Sequence, residues 1–420
     1  MWPRNFCCHL GPIDIRASVR RRAVLSNWHV NAQIHGRATH LWRDPDLPLL
    51  NVTSPRDFPR RKLNDTPWGI GIVGGGDISG RYASCIKASP RLVLRGLSAK
   101  DEDTRALVVD PSIDIVVNLT PPLAHEAVSR LALQAGKHVY SEKPLAHDLP
   151  QARSLMKLAA ERGLALACAP ATFLGNAQQS VRQLLDVEAL GTIVGARGIL
   201  MYPGPDKWHH NPAPLFGPAA GPLFDMGIYH LAALVALFGP IECVTAFASQ
   251  SSNSRIVVKG PKAGHRFDVS VPTHVCTLVK FVDGQIADLV FSFDGVGSAA
   301  PALEIYGTNG SLSLPPPGLF SGKVQQALRY GTWSELETSC EEWDDSLWIA
   351  GLYALVDHLE GYDTPWPNAQ FALHCLEAMV KIEASTKLGE TLLLETSCQR
   401  PQPLTHKTIR RWKNPDQRVR

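Results

Sequence analysis

The chain has 420 residues, 45% hydrophobic and 19% charged, with a net charge of +3. That composition belongs to a globular protein with a sizeable core, of roughly three domain-equivalents by length, and excludes a disordered chain. No apolar run nears the ~18 residues of a membrane helix. The nine cysteines are odd in number and lack a C-x-x-C or zinc-ligand spacing, so neither a disulfide scaffold nor a metal site is expected.

Charge is spread unevenly. Residues 1–66 carry eleven Lys/Arg against five Asp, and residues 407–420 carry six basic against one acidic. The body between them has 25 basic and 33 acidic residues. An acidic body with basic ends argues against a nucleic-acid partner, whose contacts call for a basic folded face. Residues 1–66 show no period of 2 or 3.6 and read as a disordered extension. Their Arg-rich first part, with Asp14 its sole acid up to residue 43, also suits a mitochondrial-type segment, which Pro3 and Pro12 oppose. A cytoplasmic protein without membrane contact is the expectation.

From Trp68 the pattern changes. Gly69–Val73 predicts a strand, Asp77–Ser89 a helix, and Arg91–Leu97 a second strand. Ile113–Leu119 is a near-continuous apolar run, as for a strand buried on both faces. A helix over 124–135 is stopped by Gly136, a short strand runs 137–140, a helix 149–162 stops at Gly163, and a strand follows over 164–169. Strand and helix alternate as in a doubly wound parallel sheet. Beyond it, helices are predicted over 177–189 and 231–238, and strands over 274–282, 285–293, 303–306 and 311–314. Asp283-Gly284, Asp294-Gly295 and Asn309-Gly310 mark the turns. Helices over 349–360 and 371–388 close an α+β second unit. The predicted division is therefore 1–66 extension, 67–172 nucleotide-binding unit, 173–405 second unit and 406–420 basic tail.

Three constellations carry chemistry. In Gly74-x-Gly76-x-x-Ser79, the glycines permit a tight turn and close approach to a pyrophosphate, which the helix N-terminus then meets. At the end of strand two, where an NAD protein usually shows an acid, stand Ser98 and Lys100. A hydroxyl and a cation suit a 2′-phosphate better, so NADP is slightly favoured, with Asp101 and Glu102 near enough to reverse this. Glu142-Lys143-Pro144 follows a strand's carboxyl end, where such folds bind ligands, although a surface ion pair has the same composition. In the third, Asp225 and Tyr229 stand four apart, followed by His230. They form a proton-handling group or an N-cap with aromatic core behind it.

The order Gly-rich loop, Thr120-Pro121-Pro122-x-x-His125, Gly136-Lys137-His138-Val139, Glu142-Lys143-Pro144 and Asp225-x-Gly227-x-Tyr229 resembles the Gfo/Idh/MocA oxidoreductases over residues 67–405. The resemblance implies a Rossmann domain followed by an α/β domain with a large open sheet. It also implies hydride transfer between NAD or NADP and a hydroxyl carbon of a sugar, inositol or related polyol. By position, Gly74, Gly76, Asp77 and Ile78 would wrap the pyrophosphate. Thr120, Pro121 and His125 would line the path to the nicotinamide, with Glu142 and Lys143 flanking it. Lys143 resembles the catalytic lysine and Asp225 its acidic partner. Tyr229 is the expected proton donor, with His230 as the fallback, and Trp208 and His209 would face the substrate. A homodimer or homotetramer through the open sheet is implied as well.

Two departures stand out. Fourteen residues separate Ser98 from Ile113, where the family fits a helix, a strand and another helix; one crossover alone takes about ten to twelve. A helix and a strand on the adenine side are therefore expected to be missing. Ala219-Ala220-Gly221 replaces the usual three glycines. The competing functional reading is a non-catalytic, cofactor-sensing regulatory protein on the same fold.

Overall fold

The computed structural model describes residues 67–328, 331–336 and 345–413. The expected extension 1–66 and the last residues of the expected tail, 414–420, lie outside the described residues.

The chain first builds β1 (Trp68–Val73), α1 (Asp77–Ala88), β2 (Leu92–Ser98), α2 (Asp101–Val109), β3 (Ile115–Asn118), α3 (His125–Gln134), β4 (His138–Ser141), α4 (Leu149–Glu161) and β5 (Leu166–Cys168). The five strands are all parallel in the order β2-β1-β3-β4-β5. Every residue of β1 and β3 is buried, as their apolar runs require. Asp148 starts α4 by accepting the Gln151 backbone N–H at 2.8 Å, a side-chain N-cap. Because β1 lies between β2 and β3, the loops after β1 and β3 part at their carboxyl ends. That opens the crevice in which such sheets bind ligands.

The expected shortening is present. Between β2 and β3 the chain forms α2 alone, and β2 is left as the edge strand of the parallel sheet among the described residues.

The second unit continues with α5 (Asn176–Asp186), β6 (Ile193–Met201), α6 (Ile228–Phe238), β7 (Ile241–Ser249), β8 (Ser254–Ile256), β9 (Arg266–Asp268), β10 (His274–Phe281), β11 (Ile286–Ser292), β12 (Leu303–Gly307), β13 (Gly310–Leu314), β14 (Gln325–Leu328) and β15 (Ser334–Glu335). It closes with α7 (Ala350–Leu359), α8 (Ala369–Leu388), β16 (Leu392–Leu393) and α9 (His406–Lys413). Nine strands form one sheet, β15-β14-β13-β12-β6-β11-β10-β7-β16, antiparallel except where β6 meets β11. Both β6 and β7 escaped the strand pattern. The first is broken by Gly195, Gly198 and Arg197, yet Gly198 is where the sheet admits the His230 ring: a Cβ there would stand 2.8 Å from it. Helices α7 and α8 return to the parallel sheet, with the Cys168 N–H donating to the Pro367 carbonyl at 2.8 Å.

The basic segment from 406 is not a free tail over its first eight residues. In α9, Ile409 and Trp412 are buried. The Trp412 indole N–H donates to fully buried Asp357 at 2.9 Å, and Arg411 pairs with the same carboxylate. Arg91, at the start of β2, reaches Asp357 at 2.7 Å from the other side. The charge read as a basic tail is thus partly engaged by a buried carboxylate that needs cations around it. No described helix is long and apolar enough to cross a membrane.

Candidate active site

The glycine-rich turn follows β1. Gly74 has φ +122°, and a Cβ there would lie 2.5 Å from the Leu119 backbone, so only glycine fits. A methyl group added at Gly76 would meet no atom within 4 Å. That open space sits directly over the start of α1, whose N-terminus has no side-chain cap. The first N–H groups of the helix, at exposed Asp77 and half-buried Ile78, thus face the gap that a pyrophosphate would fill. This cradle fits the diphosphate of a dinucleotide.

The catalytic candidates come from β4 and from a π-helical turn, Pro222–Gly227, that leads into α6. Such turns recur at functional sites, and here the turn aims Asp225 at the end of β4. The Lys143 ammonium donates to Asp225 Oδ1 at 2.7 Å and to the Asp225 carbonyl at 2.6 Å. The two side chains are 15% and 20% exposed, so the pair is shielded yet reachable from the crevice. Burial pushes the Lys143 pKa down, but Asp225, Tyr229 and Glu142 outweigh it and hold the amine above its ordinary value. Glu142 accepts from the Tyr82 hydroxyl at 3.2 Å and from the Lys143 backbone N–H at 3.1 Å.

Tyr229 joins this pair. Its ring centroid is 5.5 Å from the Lys143 ammonium and its hydroxyl makes no hydrogen bond among the described residues. Burial, only partly offset by Lys143, pushes its pKa up to about 12.

His230 does not join. Its ring lies in the core beside Phe291, with Nε2 donating to the Ala302 carbonyl at 3.0 Å, and burial holds its pKa down to about 4. The fallback donor is therefore out of reach, because one residue further along α6 points into the sheet.

Two further expectations, for His125 and Ser98, resolve differently. His125 does not line the crevice: it is buried, with Nδ1 2.6 Å from the Pro144 carbonyl and Nε2 2.7 Å from the Thr120 carbonyl. It ties together the loops that follow β3 and β4. Thr120 donates to Asn118 Oδ1 at 2.7 Å, and Pro121 stands exposed beside it. Ser98 is also withdrawn. Its hydroxyl is buried and bonded to the Lys100 carbonyl and to Thr104 Oγ1, both at 2.9 Å, against the first turn of α2. Lys100 is exposed.

Trp208 is exposed and meets His209 edge-on. The ligand atoms of His209, His210 and Asp77 lie within 4.8 Å of one another, so this loop reaches the glycine-rich turn. Because the Asn211 N–H donates to His209 Nδ1 at 3.0 Å, the ring keeps its proton on Nε2 and presents a donor.

One residue escaped the sequence reading. Tyr202 follows β6 and feels Asp225 and Lys143, and burial with Asp225 raises its pKa. Its signal was lost with β6 itself.

Comparison with known proteins agrees with this architecture. Residues 68–169 match the model of the oxidoreductase family with an NAD-binding Rossmann fold, and residues 178–313 match the GFO/IDH/MocA C-terminal domain. The dTDP-3,4-didehydro-2,6-dideoxy-alpha-D-glucose 3-reductase of Actinomadura kijaniata is 30% identical over 47% of this chain and 64% of its own length. The chain thus spans a little under two thirds of that relative. The 1,5-anhydro-D-fructose reductase of Ensifer adhaerens is 26% identical over 78% of this chain and 95% of its own length. Among solved structures, levoglucosan dehydrogenase in complex with NADH and levoglucosan superposes with a TM-score of 0.65 at 17% identity, covering 78% of this chain and 98% of that one. That likeness is one of fold. With both family domains matched in order along the two sheets, the chain belongs to the Gfo/Idh/MocA family of NAD-binding oxidoreductases.

Proposed function

We propose that this chain moves a hydride between a nicotinamide cofactor and a hydroxyl-bearing carbon of a sugar or polyol. The observation that carries the reading is the Lys143–Asp225 pair, held at 2.7 Å and partly accessible at the carboxyl end of β4. Relatives named as sugar reductases and a levoglucosan dehydrogenase support the substrate class.

The cradle at Gly74, Gly76, Asp77 and Ile78 would hold the diphosphate, and Glu142 and Lys143 would flank the nicotinamide, which supplies or accepts the hydride when bound. Asp225 keeps the Lys143 ammonium charged and fixes its direction. The ammonium then hydrogen-bonds the substrate oxygen and stabilises negative charge that develops there. Tyr229 is the proton donor: its phenol is protonated at neutral pH, and its ring centroid lies 5.5 Å from the Lys143 ammonium, at the crevice end of β4. His125 acts on neither proton nor substrate and positions the Thr120 and Lys143 loops.

The slight preference for NADP weakens once Ser98 is engaged inside α2. Lys100 is then left beside the acids Asp101, Glu102 and Asp103 of the same turn. Assembly as a homodimer or homotetramer is supported by the apolar side chains Phe247, Leu278 and Ile286, exposed on the nine-stranded sheet.

The test is a panel of sugars and polyols offered to the full chain with NAD and with NADP, following nicotinamide absorbance. At least one should be turned over. Saturable cofactor binding with no turnover of any would favour the cofactor-sensing reading instead.

A further inference from the structure

Sheets that bind dinucleotides combine two mononucleotide-binding halves in the strand order 3-2-1-4-5-6. In this chain one half is complete, with β3, β4 and β5, whereas the half beyond β1 consists of β2 alone. What remains at the tip of β2 offers an adenosine little to hold.

Three observations meet there. Ser98, at the position where a ribose-binding acid is expected, turns its hydroxyl inward to Thr104 and the Lys100 carbonyl. Ala99 lies directly against the glycine-rich turn, so close that a Cβ on Gly75 would be 2.8 Å from its own Cβ. Next to the turn, the crevice therefore presents the Ala99 methyl group in place of a ribose-binding acid, and the acids that follow, Asp101, Glu102 and Asp103, belong to the first turn of α2 and stand in solvent. Finally, Leu97 on β2 and Val109 on α2 are left 47% and 69% exposed, and no described strand stands beyond them to wall an adenine pocket.

We propose that this chain holds its cofactor by the phosphate and nicotinamide and leaves the adenosine largely in solvent. Reduced nicotinamide mononucleotide is then bound nearly as well as NADH, and the 2′-phosphate of NADPH changes little. The inference deepens the cofactor reading above and rests on it. Its physical basis is that affinity follows desolvated contact and hydrogen bonds made, and the adenosine end supplies few of either.

The experiment is a nicotinamide-fluorescence titration of the full chain with reduced nicotinamide mononucleotide, NADH and NADPH. The expected result is three dissociation constants within about tenfold of one another, with adenosine 5′-monophosphate failing to displace NADH. NADH binding more than about a hundredfold tighter than the mononucleotide, or displacement by adenosine monophosphate, would overturn the inference and leave the oxidoreductase reading standing. An intermediate ratio, above about tenfold, would also count against it, since the adenosine would then contribute appreciably. Saturation by none of the three, in a chain folded by circular dichroism, would overturn the cofactor reading itself.

Discussion

At the carboxyl end of β4, Lys143 makes two hydrogen bonds to Asp225 and Glu142 receives Tyr82, all within a shielded crevice. At the carboxyl end of β2, Ser98 is turned inward, Ala99 fills the gap to Gly75, and Asp101, Glu102 and Asp103 stand in solvent. The two ends share one glycine-rich turn. The difference indicates that the chemistry and the grip on the far end of the cofactor are separable: shortening the β2–β3 crossover leaves the loops after β3 and β4 in place, because those strands pair with β1, with each other and with β5, and not with β2.

The sharpest way to break this comparison is at the turn that both ends share. Gly76→Val sends its side chain into the open space over α1, where the Cβ meets no atom within 4 Å, so the fold should hold while reduced-cofactor binding falls more than about a hundredfold. Fluorescence titration beside a thermal melt checks both halves of that statement. Next comes the catalytic end alone. Tyr229→Phe should lower turnover by about a hundredfold and leave NADH affinity unchanged, as read by steady-state kinetics and titration.

Asp225→Asn should cost about tenfold in turnover and move the alkaline limb of the pH–rate profile to lower pH. The sign follows from the fold: Asp225 raises the Lys143 pKa, and without it burial is opposed by Tyr229 and Glu142 alone, so that pKa falls. The same linkage makes the pair's stabilisation complete below the ordinary lysine value of about 10.4 and lost as pH rises through the folded value.

The smallest effect concerns the loop before the π-helical turn. Ala219 sits at φ +56°, in the left-handed region. Relieving it in Ala219→Gly gains about 1 kcal/mol, partly offset by the freedom glycine has when unfolded, for a net gain of about 0.5 kcal/mol in a urea melt.

Much of this arrangement was legible in the residues. The run 113–119 could only be a doubly buried strand, and Gly74, Lys143 and Asp225 could be placed because turn and strand-end chemistry is local. The shortened crossover was a matter of counting residues. What could not be read depended on contacts across the fold. The strand β6 escaped notice because glycines interrupt its pattern, one of which, Gly198, makes room for a histidine ring on a helix about thirty residues on. His230 and Tyr229 are neighbours in sequence, and only packing decides that one faces the sheet and the other the crevice. Ser98 could not be known to serve Thr104 until α2 was seen to start at once after β2. The basic end hid α9 because its charge answers Asp357, 54 residues before Arg411.

The central claim is that the Lys143 ammonium acts on the reacting oxygen and not on cofactor capture. Lys143→Ala measured for turnover and for NADH binding in the same preparation tests it most directly. The account predicts turnover lower by about a thousandfold with the dissociation constant for NADH within about threefold of the parent. Turnover within about tenfold of the parent, in a folded variant that binds NADH normally, would contradict it.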